Sequence, residues 1–276
     1  MTHQQLFELI KKKKSYLCIG LDTDIQRIPS FLKSFEDPVF EFNRQIIEAT
    51  KEYCIAYKPN LAFYEANGPQ GLVSLEKTLK IIPKEFFTIA DAKRGDIGNT
   101  SELYARTFFE YYNFDAVTIT PYMGRDSVLP FAGFKDKWIV LLALTSNAGS
   151  MDFQLAEVCN HGSNGEQKLY QHVIKHALQW ADTNQLMFVV GATHPELIRE
   201  IRHLAPANFF LVPGIGAQGG NIQEVSVAGF NENCGLIVNS SRQIIYASSG
   251  EDFAERAAAE AKKLQKEMEN LLDSLI

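Results

Sequence analysis

The chain has 276 residues, 46% of them apolar and 22% charged, with a net charge of −6. That is the composition of an ordinary globular protein; the length suits one closed α/β barrel of roughly 250 residues, and the acidic balance leaves no basic footprint for nucleic acid. No stretch reaches the ~18 apolar residues of a membrane span, and "MTHQQLFELIKKKKSYLCIG" shows no apolar leader before a cleavage site, so a cytoplasmic protein away from membranes is expected.

Short apolar runs alternate with helical patterns along the whole chain. "KKKK" at 11–14 reads as a solvated helix end. The first strand is "SYLCIGLD", followed by helical spacing in "VFEFNRQIIEAT". "CIAYKPN" is the second strand, with a helix in "GLVSLEKTLKII" after it. "FFTIADAK" is the third, and "SELYARTFFEYY" the next helix. "DAVTITP" and "KWIVLLALTS" are the fourth and fifth, with a helical piece at "RDSVLPFAG" between them. Residues 146–165 are a long connection without this rhythm, read as an insertion that is either a substrate-contacting lid or decoration. A long helix is expected over "EQKLYQHVIKHALQWADT". "LMFVVGAT" is the sixth strand, "HPELIREIRHLA" a helix, "FFLVPGIG" the seventh strand and "GLIVNSS" the eighth. A terminal helix, "DFAERAAAEAKKLQKEMENLLDSL", ends the pattern.

Many of these strand runs are apolar without strict alternation, as expected when both sheet faces are buried. Eight such units favour a single-domain (β/α)8 TIM barrel over residues 1–276. An open doubly wound sheet is the alternative. Cys18, Cys54, Cys159 and Cys234 are far apart and form no CxxC pair, which suits buried free thiols.

In a barrel, chemistry sits at the C-terminal strand ends. Here those ends carry Asp22, Lys58, Asp91 with Lys93, Thr145 with Ser146, "PGIGAQGG" and "NSSRQ". The spacing Gly214, Gly216, Gly219 imitates a dinucleotide fingerprint, but it comes late in the chain and position 239 is Asn. A phosphate cradle fits better. Glycine backbone and a following helix start would approach the anion, Gln218 would add a donor, and Arg242 would add a bidentate cation.

In "FFTIADAKRGDIGNT", residues 86–100, Asp91 and Lys93 share a face if the strand is regular. Lys58 can join them, and Asp96 follows in the turn. Such a row keeps lysines protonated, and a protonated, positioned lysine is a general acid. A carboxylate fixed there would repel a substrate carboxylate, and losing it as carbon dioxide would relieve that stress. A structural ion-pair network at the barrel mouth is the bland reading.

"DAKRGDIGNT" fits the D-x-K-x-x-D-I-x-x-T signature, and the chain resembles the orotidine 5′-phosphate decarboxylase family. "LDTD", "YKPN", "TSNAG", "PGIGAQGG" and "SSRQIIY" stand in that family's order across roughly residues 15–247, and "PYMGRDS" and the length resemble its longer bacterial subgroup. The resemblance implies decarboxylation of orotidine 5′-monophosphate to uridine 5′-monophosphate, without metal or organic cofactor. It implies Lys93 as proton donor to ring carbon 6, Asp91 against the departing carboxylate, and Lys58 and Asp96 completing the array. It also implies a homodimer in which Asp96, Ile97 and Thr100 cross the interface. Asp22 and Thr100 would bind ribose and Ser146 the pyrimidine. Pro213, Gly216, Gln218 and Arg242 would hold the phosphate.

The residues also admit other readings. A Mg²⁺-dependent decarboxylase of a sugar-acid phosphate would use a related barrel, a Schiff-base aldolase would use Lys58 or Lys93, and a sugar-phosphate sensor would bind without turnover. His172 and His176 imitate a metal pair at i, i+4, but a third ligand is lacking. His194 either lines the site or opens a helix, and Arg125 pairs either with Asp126 or with the rim.

Overall fold

The computed structural model describes residues 1–159, 166–215 and 219–275. Its strands are β1 (Leu17–Leu21), β2 (Ala56–Pro59), β3 (Phe87–Arg94), β4 (Ala116–Ile119), β5 (Trp138–Leu144), β6 (Glu157–Cys159), β7 (Glu166–Lys168), β8 (Leu186–Val190), β9 (Phe209–Pro213) and β10 (Leu236–Ser240). Eight of them close into a parallel barrel, in the order β1-β10-β9-β8-β5-β4-β3-β2. This is the expected (β/α)8 barrel, and the open-sheet alternative is excluded by the pairing of β1 with both β2 and β10. The strands are buried on both faces, which is why their sequences are continuous apolar runs rather than alternating ones.

The helices bury one stripe each against that barrel. Pro38–Thr50 is typical: the Asp37 carboxylate accepts from the Phe40 N–H, proline occupies the first turn, and Val39, Phe42, Ile46 and Ile47 face inward. The terminal helix Phe253–Leu275 packs beside it.

The N-terminal segment, for which the sequence offered only a lysine-rich helix end, is a helix over His3–Lys13. A capping box starts it, Thr2 Oγ1 accepting from Gln5 N–H and Gln5 Oε1 accepting from Thr2 N–H. Its first residues plug the barrel floor. His3 stacks on Trp138 and meets Phe209 at a tilt, and the Trp138 indole N–H donates to the Met1 carbonyl. These contacts cover the N-terminal end of the barrel.

The region after β5 differs from the reading of 146–165 as one connection followed by a long helix. A short helix, Ser150–Phe153, comes first, and β6 and β7 then pair antiparallel. Residues 166–168 therefore extend as strand, and the helix runs only over Leu169–Ala177. Strand pairing across a gap in sequence overrode a helical pattern that local spacing alone supported. Cys18, Cys54 and Cys234 are buried free thiols. Among the described residues no helix is long and apolar enough to cross a membrane.

Candidate active site

Lys58 stands one residue before the end of β2, in register with Gly20 of β1, and Asp91 bridges to Asn60 just beyond the strand. These pairings bring Lys58 Nζ to 2.8 Å from Asp91 Oδ2. Lys93 Nζ approaches the other oxygen, Oδ1, at 2.5 Å. The side chains of Lys58 and Asp91 are 5% and 11% exposed, whereas that of Lys93 is 49% exposed. One carboxylate thus sits between a buried ammonium and an ammonium at the open mouth.

Burial opposes the charge on Lys58, but the carboxylates of Asp91 and Asp22 overcome it and hold the ammonium above the ordinary lysine range. Burial also opposes ionisation of Asp91, and Lys58 and Lys93 overcome that, holding its carboxyl well below the usual range. The pair is therefore charged across the whole physiological range.

Lys93 does not reach Asp91 through simple strand alternation, as period two had suggested. The β3–β4 register shifts between Ala90 and Arg94, and Lys93 has a φ of 48°. A non-glycine residue in the left-handed region needs support. Thr118 of β4 gives it: its Oγ1 accepts from the Ala92 and Lys93 N–H groups at 2.9 and 2.8 Å. The result is a bulge that re-aims the lysine. Thr118 was missed from sequence because its partners lie more than twenty residues away, and "VTIT" carries no polar signature beyond a strand threonine.

The same stretch also contains the bland answer. Arg94 turns aside, pairs with Glu65, donates to the Ala92 carbonyl at 2.8 Å and lies over the rings of Tyr104 and Phe108. It braces the strand end.

Asp22 follows β1, and its Oδ1 is buried without a hydrogen-bond partner among the described residues. Asn239 Oδ1 has the same standing. Asn239 shares register with Cys18 and Pro213. Sequence reasoning used this asparagine only to reject a dinucleotide site. Buried acceptors lacking donors are uncommon and call for a reason.

Ser146 follows β5, its backbone packed so tightly on Gly191 that a Cβ there would lie 2.8 Å from the Ser146 nitrogen. The neighbouring Thr145 N–H donates to Gln154 Oε1 at 2.7 Å, which ties the insertion to this strand end. After Pro213 the chain turns at Gly214, φ 101°, and Ile215 bridges Gly220. Gly216 and Gln218 lie outside the described residues. The helix Ile222–Gly229 follows, but Asn221 Oδ1 already accepts from the Gln223 and Glu224 N–H groups. Those two donors are thus taken, and an anion would rely on the glycine backbone and on Arg242. Arg242 is exposed at the start of the short helix Arg242–Ile245, and its guanidinium makes no ion pair among the described residues.

Asp96, Ile97 and Thr100 stand apart from the array within one chain. Asp96 Oδ1 accepts from the Ile97 N–H at 2.8 Å and pairs with neither lysine among the described residues. Ile97 caps the helix Gly98–Arg106, and both it and Thr100 are exposed. Arg125 is exposed and makes no ion pair with Asp126 among the described residues. His194 stands at the start of the helix Pro195–Leu204, its ring 3.1 Å from Glu196. The His172 and His176 rings meet edge to face at 4.4 Å, and the described residues hold no group of three or more potential metal ligands.

Comparison with known proteins decides the family. The model of the orotidine 5′-phosphate decarboxylase / HUMPS family matches residues 15–257. The chain belongs to that family. It is 56% identical over 275 residues to the orotidine 5′-phosphate decarboxylase of Phocaeicola vulgatus, covering 99% of each chain. It is 54% identical over 279 residues to the enzyme of that name from Bacteroides fragilis, covering both chains completely. The solved Leishmania donovani OMP decarboxylase is 34% identical and superposes with a TM-score of 0.79, over 96% of this chain and 100% of that one. The family relatives named here are carboxy-lyases, and the charged array lies at the strand ends where the family signature falls.

Proposed function

We propose that this chain decarboxylates orotidine 5′-monophosphate to uridine 5′-monophosphate in pyrimidine synthesis, in the cytoplasm. The observation that carries the reading is the Lys58–Asp91–Lys93 array at the open end of the barrel. Family membership and relatives bearing that activity in their names support it.

In this reading the substrate carboxylate lies against Asp91, whose depressed pKa keeps it anionic, so the two charges repel. Departure of carbon dioxide removes one of them. The electron pair left on ring carbon 6 is stabilised by the Lys93 ammonium, which then delivers its proton there. Lys58, pinned on the far oxygen of Asp91, keeps that carboxylate from swinging away. Asp22 and Thr100 bind ribose, Ser146 the pyrimidine, and Pro213, Gly216, Gln218 and Arg242 the phosphate. The chemistry uses side chains alone, with no metal or organic cofactor.

The active unit is a homodimer, with Asp96, Ile97 and Thr100 reaching the partner's site. Large apolar side chains left exposed support this: Ile97 is 55% exposed, Leu103 56%, Tyr122 86% and Met123 47%. Met123 lies against Gly95, beside Asp96, so it adjoins the start of the signature helix that carries Leu103. Exposed apolar side chains of this size suit a contact surface.

The direct test follows the ultraviolet change of orotidine 5′-monophosphate in excess chelator, with Lys93→Ala beside the wild type. Metal-independent turnover by wild type, and its loss in the variant, is the expected result. Turnover only after Mg²⁺ is restored would overturn the metal-free mechanism. For the shared site, Lys93→Ala and Asp96→Ala dimers are mixed and allowed to exchange. Half of the dimers become mixed and each has one intact site, so about a quarter of wild-type activity returns; no recovery would place Asp96 outside a shared site.

A further inference from the structure

Asp22 leaves β1 on a loop that is tied down on two sides. On the helix side, the Tyr64 hydroxyl donates to the Leu21 carbonyl at 3.1 Å. Thr23 Oγ1 donates to Asn43 Oδ1 at 2.6 Å, and Asn43 Nδ2 donates to the Tyr64 oxygen at 3.0 Å and to Thr78 Oγ1 at 3.1 Å. This network is buried and sits behind the loop.

On the other side is Tyr246. Its hydroxyl donates to the Asp22 carbonyl at 3.0 Å and accepts from the Asp24 N–H at 2.7 Å. Its backbone N–H donates to the Arg242 carbonyl at 3.2 Å. The ring is held by the Arg27 guanidinium, 4.1 Å from its centroid, and by Phe42, stacked at 5.8 Å. One residue therefore grips the Asp22 loop with its hydroxyl and the Arg242 turn with its backbone. Burial, set against the hydrogen bond from Asp24, pushes its phenol up to about 12, so the hydroxyl keeps its proton and donates throughout the working range.

We propose that Tyr246 is a positioning residue that couples the Asp22 carboxylate to the Arg242 guanidinium, fixing the span between the groups that hold the two ends of the substrate's ribose phosphate. The inference rests on the decarboxylase reading, which places ribose at Asp22 and phosphate at Arg242. Asp22 Oδ1, buried and unpaired among the described residues, is the acceptor whose aim the coupling sets. A rigid span lowers the ordering cost that substrate binding must otherwise meet. It does not change the charge beside ring carbon 6, so binding is affected and chemistry is spared.

Tyr246→Phe is the test because it keeps the stacked ring and deletes only the hydroxyl. Steady-state turnover of orotidine 5′-monophosphate is measured for wild type, Tyr246→Phe, Asp22→Asn and the double variant. The expected result is a KM raised by about tenfold with kcat within about threefold, the order expected when one hydroxyl leaves both a donor and an acceptor unpaired. In the Asp22→Asn background the same deletion raises KM by less than about twofold, because the aimed group is already gone. Amide exchange at Asp24 accelerates in Tyr246→Phe. An unchanged KM, or an equal factor in both Asp22 backgrounds, overturns the coupling and leaves a merely structural tyrosine. A wild type that does not turn over the nucleotide overturns the decarboxylase reading, and the inference with it; that outcome is distinct from an active wild type whose Tyr246→Phe variant is unchanged.

Discussion

Asp91→Asn separates the electrostatic account of the array from a purely packing one. The substitution keeps shape and deletes one charge. Lys58, 5% exposed and 2.8 Å from the carboxylate, then loses its direct ion partner. Breaking a buried pair by removing one member costs about 3–5 kcal/mol, because an uncompensated charge stays inside. Asp22 still attracts the ammonium, which favours the lower end of that range. In a chain of this size the loss is a fall of roughly 10 °C in melting temperature at neutral pH.

The pH dependence gives the sharper reading. In wild type the folded pKa of Lys58 is raised, so its contribution is complete below the unfolded lysine value and is lost as pH rises through the folded one. In the variant, burial still opposes the charge and of the two carboxylates only Asp22 remains to offset it, so the folded pKa of Lys58 should fall below the unfolded value. Stability then recovers as pH rises through that depressed value toward the unfolded value of about 10.4, because the lysine sheds its proton inside the fold. The deficit against wild type should shrink steadily from neutral pH to about pH 9.5, as urea unfolding at fixed protein concentration would measure. Adding Lys58→Met to the variant removes the stranded charge and should restore most of the loss. A deficit under about 1 kcal/mol at neutral pH, or one that stays constant as pH rises, would refute the claim that charge governs this site.

The other expectations concern parts of the same frame. Thr118→Val removes the acceptor for two amides and leaves Lys93 without its bulge support; it should cost about 2 kcal/mol in unfolding and lower kcat more than it raises KM. Arg202 is 9% exposed, donates to the carbonyls of Gly229, Ala205, Pro206, Asn208 and Gly235, and lies over the Phe210 ring. Burial without a carboxylate partner lowers its guanidinium to about 9. Arg202→Met strands those carbonyls and should lower the melting temperature by several degrees while leaving KM unchanged. The acid limb of kcat/KM should fall near about pH 6, where the substrate's phosphate takes its second proton, because Asp91 stays ionised well below that pH. The contribution of Asp91 to stability is present above its unfolded pKa and is lost only as pH falls through its depressed folded value, so acid unfolding is checked separately by fluorescence.

All eight barrel strands could be read from the sequence because burial on both faces writes itself into composition. "FFTIADAK" and "LMFVVGAT" need no partner to be recognised as strands. Lys58, Asp91 and Lys93 were readable as strand-end charges for the same reason. Their contact geometry was not, since the left-handed φ of Lys93 depends on a threonine that the barrel closure brings alongside. The β6–β7 pair was hidden by a similar dependence: "EQKLYQ" has helical spacing, and only its partner at Glu157–Cys159 makes its first three residues a strand. Asn221 shows the same limit at the phosphate end. A helix start after a glycine loop suggested free N–H donors, and a neighbouring side chain had already taken two of them.

These cases share a physical cause that also bears on how the site works. Residue types and strand ends are local properties, whereas aim is set by hydrogen bonds between segments distant in sequence. Thr118 aims Lys93, and Tyr246 grips the loop of Asp22, each through a single hydroxyl. The Tyr246 hydroxyl acts on backbone groups alone, whereas the Thr118 hydroxyl holds two backbone amides and also donates to Asp91 Oδ1 at 3.3 Å. Tyr246 therefore stands apart from the charges, and Thr118 touches one of them. Substitution of Tyr246 should therefore change KM without changing the pH at which the array titrates. Substitution of Asp91 should move that titration, as the opposite slopes expected for Lys58 in wild type and Asp91→Asn would show.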